Sequence, residues 1–381
     1  MKFVKFKKSI SVFVSSVLAL QFSCVDKFCY ATKNKVNVLY TTDDGYFGPT
    51  LVSMQSALDS KSSDTFYNFH IMVDGKFSNQ TTLHKFANNN KRSCSVTTYD
   101  MKDAFADDWT SYWPPSMYYR LKAASVLNDI DKCIYIDGDT LINGDLKELY
   151  GINLGNDYLG GVVDAWNDRL GIPDYINSGV ALMNLKKIRA DGKEETLLEH
   201  VHKNTTHRQW SLPDQDIWNI VFCGHIKMLS IKYNFMTNLF MNHTRLNYPT
   251  TYSQKHCKWQ QDDARGPWPF GPLRLQTNCQ PSIVHFVCNK PWNADCGVVN
   301  KGKNREVFKP LYQKWYDTAD KVRTEYGVSF PKKKSNTGKI VGLGALAVGL
   351  LTATGIIAKK TYDNKHNKIG RDNKPNLATA S

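Results

Sequence analysis

Lys132-Cys133-Ile134-Tyr135-Ile136-Asp137-Gly138-Asp139-Thr140 is a short apolar run that ends abruptly in two carboxylates separated by one glycine. Residues 132–136, rich in Ile and Tyr, predict a strand covered on both faces. In open α/β sheets ligands sit just beyond the carboxyl ends of such strands, which puts Asp137 and Asp139 at a binding edge. Two carboxylates so close repel each other unless a cation lies between them. Hard oxygen donors favour Mg²⁺ or Mn²⁺, and either ion can hold a diphosphate. Asp-x-Asp triplets also occur in turns, where Asp bonds its own backbone, so the triplet gains meaning only from its surroundings.

Outward from this strand the chain alternates. Val36 to Thr42 predicts a strand running into Asp43-Asp44-Gly45-Tyr46, followed by an amphipathic helix from Pro49 through Leu58. Phe66 to Val73 and Ser95 to Tyr99 read as strands, with a helix over Ser78 to Phe86 between them, and Ser116 to Leu127 reads as a helix bearing Tyr119 and Arg120. On the far side, Tyr158 to Val163 is a strand ending in Asp164. Tyr175 to Leu185 places Asn177 before a strand, and Asp214-Gln215-Asp216 caps a helix over Leu212 to Asn219. Ser282 to Phe286 returns to strand and carries His285, with Lys290-Pro291-Trp292 close behind and a closing helix over Arg305 to Tyr326. This order predicts an α/β fold with a parallel, doubly wound sheet. No Gly-rich phosphate loop follows the first strand, so a dinucleotide site is not indicated. Asn247 to Ser282, rich in Pro, Gly, Trp and Cys, reads as a long surface excursion.

The 381 residues carry 49 basic and 35 acidic side chains, a net charge of +14. Most of the excess lies in the two ends, leaving a nearly balanced body, so nucleic acid is not an expected partner. Residues 1–31 join a lysine-rich start to the apolar run Ser9 to Cys24, the pattern of a signal peptide or signal anchor. Residues 32–331 form the body and 332–339 a basic linker. Ile340 to Ala358 is an uncharged run of transmembrane length, and 359–381 a basic tail. The expected protein is a single-pass membrane protein whose body lies on the non-cytoplasmic side. Nine cysteines without C-x-x-C spacing argue against a zinc site, and Cys133 reads as a buried free thiol.

Taken in order, several motifs become specific. They are the acidic loop after the first strand, Arg120 in Tyr-Tyr-Arg-Leu, IDGDT, INSGVALMNLKKI, PDQDIWN and HFVCNKPWN. Together they resemble the family-8 retaining glycosyltransferases, a group that includes lipopolysaccharide galactosyl- and glucosyltransferases and glycogenin. The resemblance runs from Val36 to Trp292 and leaves both terminal segments outside it. It implies the GT-A fold, a Rossmann-like α/β domain that uses a UDP-sugar donor and Mn²⁺, with Mg²⁺ as the alternative ion. It further implies that Asp43 and Tyr46 face the uridine and that Asp137, Asp139 and His285 ligate the metal. On the same grounds Lys290 and Arg120 neutralise the diphosphate, Asp164, Asn177 and Asp214 bond the sugar, and Gln215 lies under the anomeric carbon. An imidazole beside two carboxylates also tilts the choice toward Mn²⁺. The acceptor class implied is a glycan, lipid-linked glycan or glycoprotein. One departure stands out: where the family pattern has Gly three residues after the His and two spacers before Lys-Pro-Trp, this chain has Cys288 and only Asn289 between.

Two other readings start from the same residues. The altered spacing suits a nonenzymatic relative that still binds nucleotide-sugar, and the aromatic excursion suits a membrane-tethered glycan-binding adhesin. Asp216 reads as a structural acid favoured by the helix macrodipole.

Overall fold

A computed structural model describes residues 34–102, 104–105, 114–164, 171–207, 212–237, 281–287, 290–293 and 305–331. The chain divides into two units, 1–332 and 333–381, and every described residue belongs to the first. No helix among the described residues is long and apolar enough to cross a membrane. The signal-like segment, the 340–358 run, the 247–280 part of the excursion, Cys288 and Asn289 lie outside them.

The strands are β1 (Asn34–Thr42), β2 (Thr65–Val73), β3 (Cys94–Asp100), β4 (Lys132–Ile136), β5 (Thr140–Ile142), β6 (Leu159–Val163), β7 (Ile176–Asn184), β8 (Ile226–Met228), β9 (Phe235–Met236) and β10 (Ile283–His285). Seven of them make the central sheet in the order β3-β2-β1-β4-β7-β6-β8, and β5-β10-β9 form a small second sheet. The helices are α1 (Phe47–Ser60), α2 (Gln80–Asn89), α3 (Ala123–Val126), α4 (Lys147–Tyr150), α5 (Leu185–Ala190), α6 (Lys193–His207), α7 (Pro213–Val221) and α8 (Arg305–Tyr326).

The expected all-parallel sheet is corrected in one place. β7 runs antiparallel to both β4 and β6, while β1, β2, β3 and β4 are mutually parallel, as are β6 and β8. Because β4 and β6 are each antiparallel to β7, they point the same way, and β7 alone is reversed. The chain passes from β6 to β7 without a crossover helix among the described residues, and only a crossover would have kept the direction. The consequence is functional: the carboxyl ends of β1, β4 and β6 and the amino end of β7 open on one edge.

Two further expectations change. The helix over 116–127 is two 3₁₀ turns, Pro115–Met117 and Tyr119–Lys122, followed by α3. Tyr118, Tyr119, Arg120 and Leu121 are all buried, and four consecutive buried residues cannot share one face of an α-helix. α1 is not amphipathic but buried from Phe47 through Ala57. Its outer side is covered, since Ser56 Oγ accepts from Ile142 N of β5 at 2.9 Å and Lys321 of α8 reaches Asp59 at 2.8 Å.

Each sheet face has its own core. Val38, Tyr40, Leu51, Phe69 and Trp315 lie on the α1/α8 side. Leu39, Tyr135, Leu185, Leu197 and Trp218 lie on the α5/α6/α7 side. Alternate residues of β1 supply both, the period-2 pattern of a strand covered on two faces. Large side chains of this kind stabilise by about 1.5–3 kcal/mol each when fully buried. Cys133 is a buried free thiol, and Cys94 and Cys223 are also unpaired.

Candidate active site

β4 delivers the acidic pair. Asp137 N donates to Gly179 O of β7 at 2.8 Å, and Asp139 O accepts from Phe286 N at 3.0 Å, so the turn is pinned to both sheets. Gly138 is required there, because a Cβ would collide with Thr50 Oγ1 of α1. Thr50 in turn donates to Tyr46 O at 2.9 Å, which ties the turn to the β1–α1 loop. β10 brings His285 from the second sheet, with Nε2 at 3.7 Å from Asp137 Oδ2 and 3.3 Å from Asp139 Oδ1.

One ligand atom from each of Asp137, Asp139 and His285 lies within 4.8 Å of the others. This donor set fits a divalent cation. Asn234 Oδ1 stands 3.1 Å from His285 Nδ1 and accepts its hydrogen, which leaves the Nε2 lone pair facing the carboxylates. Such a partner on the far nitrogen is what fixes a metal-ligating imidazole. Asp139 is 4% exposed. Burial by itself would raise its pKa, but the ammonium of Lys290 beside it holds it below the ordinary carboxylate range. Lys290 places its ammonium directly on Asp139 Oδ2.

Arg120 is buried between Asp137 Oδ1 at 3.0 Å and Asp214 Oδ2 at 3.1 Å, with Ser178 O at 3.2 Å. Its guanidinium also stacks on the Tyr135 ring at 4.2 Å. Burial works against its charge, yet Asp137, Tyr135 and Asp214 keep it firmly protonated. Two of its described contacts are carboxylates of the site itself. Asp214 is raised above the ordinary carboxylate value by burial, with Arg120 opposing.

Gln215 lies at the centre of a second network. Its Oε1 accepts from Ser178 N at 3.0 Å and Asn177 Nδ2 at 3.1 Å, while its Nε2 donates to Asp164 Oδ2 at 3.1 Å and Tyr175 Oη at 3.2 Å. A backbone N–H on one end and a carboxylate on the other fix which end is oxygen. Asn177 Oδ1 accepts from Asn234 Nδ2 at 2.9 Å, so the two networks join behind the imidazole. Asp216, buried, accepts from Tyr175 Oη at 2.5 Å and Leu212 N at 3.1 Å, a structural role as expected.

Asp43 stands apart from these contacts. Its carboxylate accepts from Tyr46 N at 2.9 Å and Ser116 Oγ at 3.4 Å. Tyr46 packs edge-on against Trp292, ring centroids 5.4 Å apart. Burial and the charge of Asp139 push its phenol well above the ordinary value.

Four participants escaped the sequence reading. Tyr135, read only as strand filling, donates to Asp137 Oδ1 at 2.6 Å. Its position two residues before Asp137, on the same face of a period-2 strand, was the available signal. Asn234 gave none, because its partners are remote in sequence, and Ser178 lay in a motif without a role of its own. Gly179 lies in a motif, but its need for hydrogen in place of a side chain follows only from His285 lying over it.

With this geometry in place, the comparisons with known proteins take on weight. The model of glycosyl transferase family 8 matches residues 37–296. A lipopolysaccharide 1,2-glucosyltransferase of Escherichia coli is 28% identical over 210 residues, covering 52% of this chain and 62% of the relative. A lipopolysaccharide 1,3-galactosyltransferase of Salmonella typhimurium strain LT2 is 23% identical over 224 residues, covering 55% of this chain and 66% of the relative. The chain therefore spans somewhat under two thirds of the length of these curated relatives. A crystal structure of the galactosyltransferase LgtC with donor and acceptor sugar analogues superposes with a TM-score of 0.57 at 23% identity, covering 75% of this chain and 96% of that one. At that identity the likeness speaks for the GT-A fold.

Proposed function

The chain belongs to glycosyl transferase family 8, and from that premise we propose that it is a retaining hexosyltransferase. It moves glucose or galactose from UDP to a glycan acceptor with the help of a divalent cation, Mn²⁺ before Mg²⁺. The observation that carries this reading is the convergence of Asp137, Asp139 and His285 within 4.8 Å, with Lys290 on Asp139 and Gln215 in the adjoining network. The choice of hexose rests on relatives named as a glucosyl- and a galactosyltransferase.

Asp137, Asp139 and the Nε2 of His285 would hold the cation, which supplies Lewis-acid neutralisation of a departing diphosphate. Lys290 adds a positive charge at the same place. Arg120 pairs with Asp137 and Asp214 and holds both carboxylates in place. A two-step displacement needs a carboxylate nucleophile, but the resemblance puts the amide of Gln215 under the anomeric carbon. An amide is a poor nucleophile, and here both its ends are already hydrogen-bonded. What it offers is a fixed dipole toward developing positive charge. In the reaction the anomeric C–O bond to the diphosphate breaks and a bond to the acceptor oxygen forms on the same face. The acceptor proton passes to a phosphate oxygen of the leaving UDP.

The test begins with turnover: a UDP-hexose hydrolysis screen with Mn²⁺, followed by NMR of the anomeric proton in the transferred product. An α-linked donor should give an α-linked product, and a β-linkage would overturn the retaining assignment. Gln215→Ala should lower kcat by roughly 10- to 1000-fold, the range for losing one electrostatic stabiliser, with little change in UDP-sugar affinity. A full-speed variant would remove Gln215 from the mechanism.

A further inference from the structure

α8 lies beyond the residues that the family model matches, which end at 296. Its buried face nevertheless touches both ends of the stretch that brings His285 and Lys290 to the site. Tyr312 packs edge-on against Phe286 with ring centroids 5.0 Å apart, and Phe286 N donates to Asp139 O at 3.0 Å. One turn on, Trp315 packs against Trp292 at 5.6 Å, and Trp292 also packs against Tyr46 at 5.4 Å. The next residue, Tyr316, is exposed and donates its hydroxyl to Pro291 O at 2.9 Å. Past the helix, Phe330 packs on Trp315 at 5.4 Å, and Ser329 O fills the space that a side chain at Gly48 would need.

Trp315 is 2% exposed, and its indole N–H has no partner among the described residues. A buried unpaired donor costs stability, so the ring is there for the surface it covers. That surface includes the residue next but one to Lys290. Residues 290–293 form a turn and not a strand or helix. A lysine also has among the most side-chain freedom to lose on being ordered, so a loose turn would spread its ammonium over many positions.

Resting on the site reading above, we infer that Tyr312, Trp315 and Tyr316 are positioning residues for the metal- and phosphate-binding stretch. They clamp Phe286 at one end and Pro291-Trp292 at the other. The clamp keeps the His285 imidazole facing both carboxylates and sets the Lys290 ammonium on Asp139. They act through that stretch, so the closing helix supports the site as well as covering the core.

Conservative variants of the full chain test this. Tyr316→Phe removes only the hydroxyl that holds Pro291, and Trp315→Phe keeps an aromatic ring of smaller reach. Hydrogen–deuterium exchange without ligand reads the clamp directly through the hydrogen-bonded amides of Phe286, Val287 and Asn293. Exchange at these amides should rise about 5-fold in Tyr316→Phe and more in Trp315→Phe, with β1 to β4 unchanged. In the presence of Mn²⁺, UDP-glucose affinity should fall by about the same factor, and the fall should be smaller in a Lys290→Ala background. Unaltered exchange across 286–293 in both variants overturns the inference, as does an affinity loss that is equal with and without Lys290. Should the wild-type chain bind no UDP-sugar, faster exchange still supports the clamp while the nucleotide reading falls.

Discussion

The place of the imidazole depends on a residue with no side chain. A Cβ at Gly179 would collide with the His285 ring and come within 2.8 Å of Asp137 Oδ2, so alanine there must push one metal-ligand candidate away from the other. Neither can yield cheaply: His285 is backed by Asn234, and Asp137 is held by Tyr135 and Arg120. Overpacking of this kind costs about 1–3 kcal/mol, and disturbing the support of a metal ligand costs about 10- to 100-fold in metal affinity. Gly179→Ala should therefore lower the unfolding midpoint modestly and weaken Mn²⁺ binding by at least about 10-fold. Calorimetric titration of Mn²⁺ into the folded variant checks it, and wild-type affinity there would remove His285 from the ligand set. Tyr135 and Arg120 share the same logic from the other side. In the sequence Tyr135 reads as strand filling and Arg120 as a neighbour of the diphosphate, and the 2.6 Å and 3.0 Å contacts to Asp137 tie both to the acidic pair.

Among the elements, β7 is the one whose direction builds the site and whose start needs help. Asp164 N bonds Tyr175 O at 2.8 Å, but the ladder with β6 slips between Gly161 and Val163. At this irregular end, Asn219 of α7 takes over: its Oδ1 accepts from Ile176 N at 2.7 Å, and its Nδ2 donates to Ile176 O at 2.9 Å and Gln215 O at 2.8 Å. One buried amide thus docks the helix carrying Gln215 onto the strand carrying Asn177. Asn219→Leu keeps the volume but strands both backbone groups of Ile176, each at about 1–3 kcal/mol. Unfolding in urea should show a loss of roughly 2–6 kcal/mol on that basis, and a midpoint equal to wild type would refute the docking role. The sequence carried the strands well, because β1, β2, β3 and β4 advertise themselves through local composition and abrupt polar ends. The reversal of β7 and the small sheet joining β5, β9 and β10 were not legible, since strand direction and a two-residue strand are settled by partners far away in the chain. The site divides in the same way. Asp137 and Asp139 could be read from nine residues, His285 and Lys290 only from the order of motifs, and Asn234 not at all.

At the scale of the whole molecule, the same sheet that gathers acids at its carboxyl edge carries a polar patch nearer the middle of β1, β2 and β3, and this patch gives the fold a pH dependence of its own. His70 is 7% exposed. Its Nδ1 lies 3.0 Å from Tyr99 Oη, and its Nε2 lies 3.4 Å from Asn37 Oδ1. The neutral ring with hydrogen on Nε2 satisfies both neighbours, for Tyr99 can donate to Nδ1 and Asn37 Oδ1 can only accept. Burial lowers the pKa from 6.5 to about 4, and the negative charge of Asp129 offsets little of that. The sign follows from proton counting. Between pH 6.5 and about 4 the unfolded chain takes up a proton on His70 that the folded chain refuses, so folding is fully favoured by this group above 6.5 and loses that favour as pH falls toward 4. Below the folded value both states are protonated and the loss stops growing. Across the window it amounts to roughly 3 kcal/mol. Carboxylates also titrate near its lower end, so the measurement is a difference: urea unfolding of wild type and His70→Gln from pH 7.5 to 4. Glutamine is polar and does not titrate, and its stability should decline less steeply through that window, the two curves converging as the acid side is approached. Parallel curves from pH 7 to 4 would show that His70 accepts its proton in the folded protein as readily as in the unfolded one, and would leave the acid sensitivity of this fold to its carboxylates.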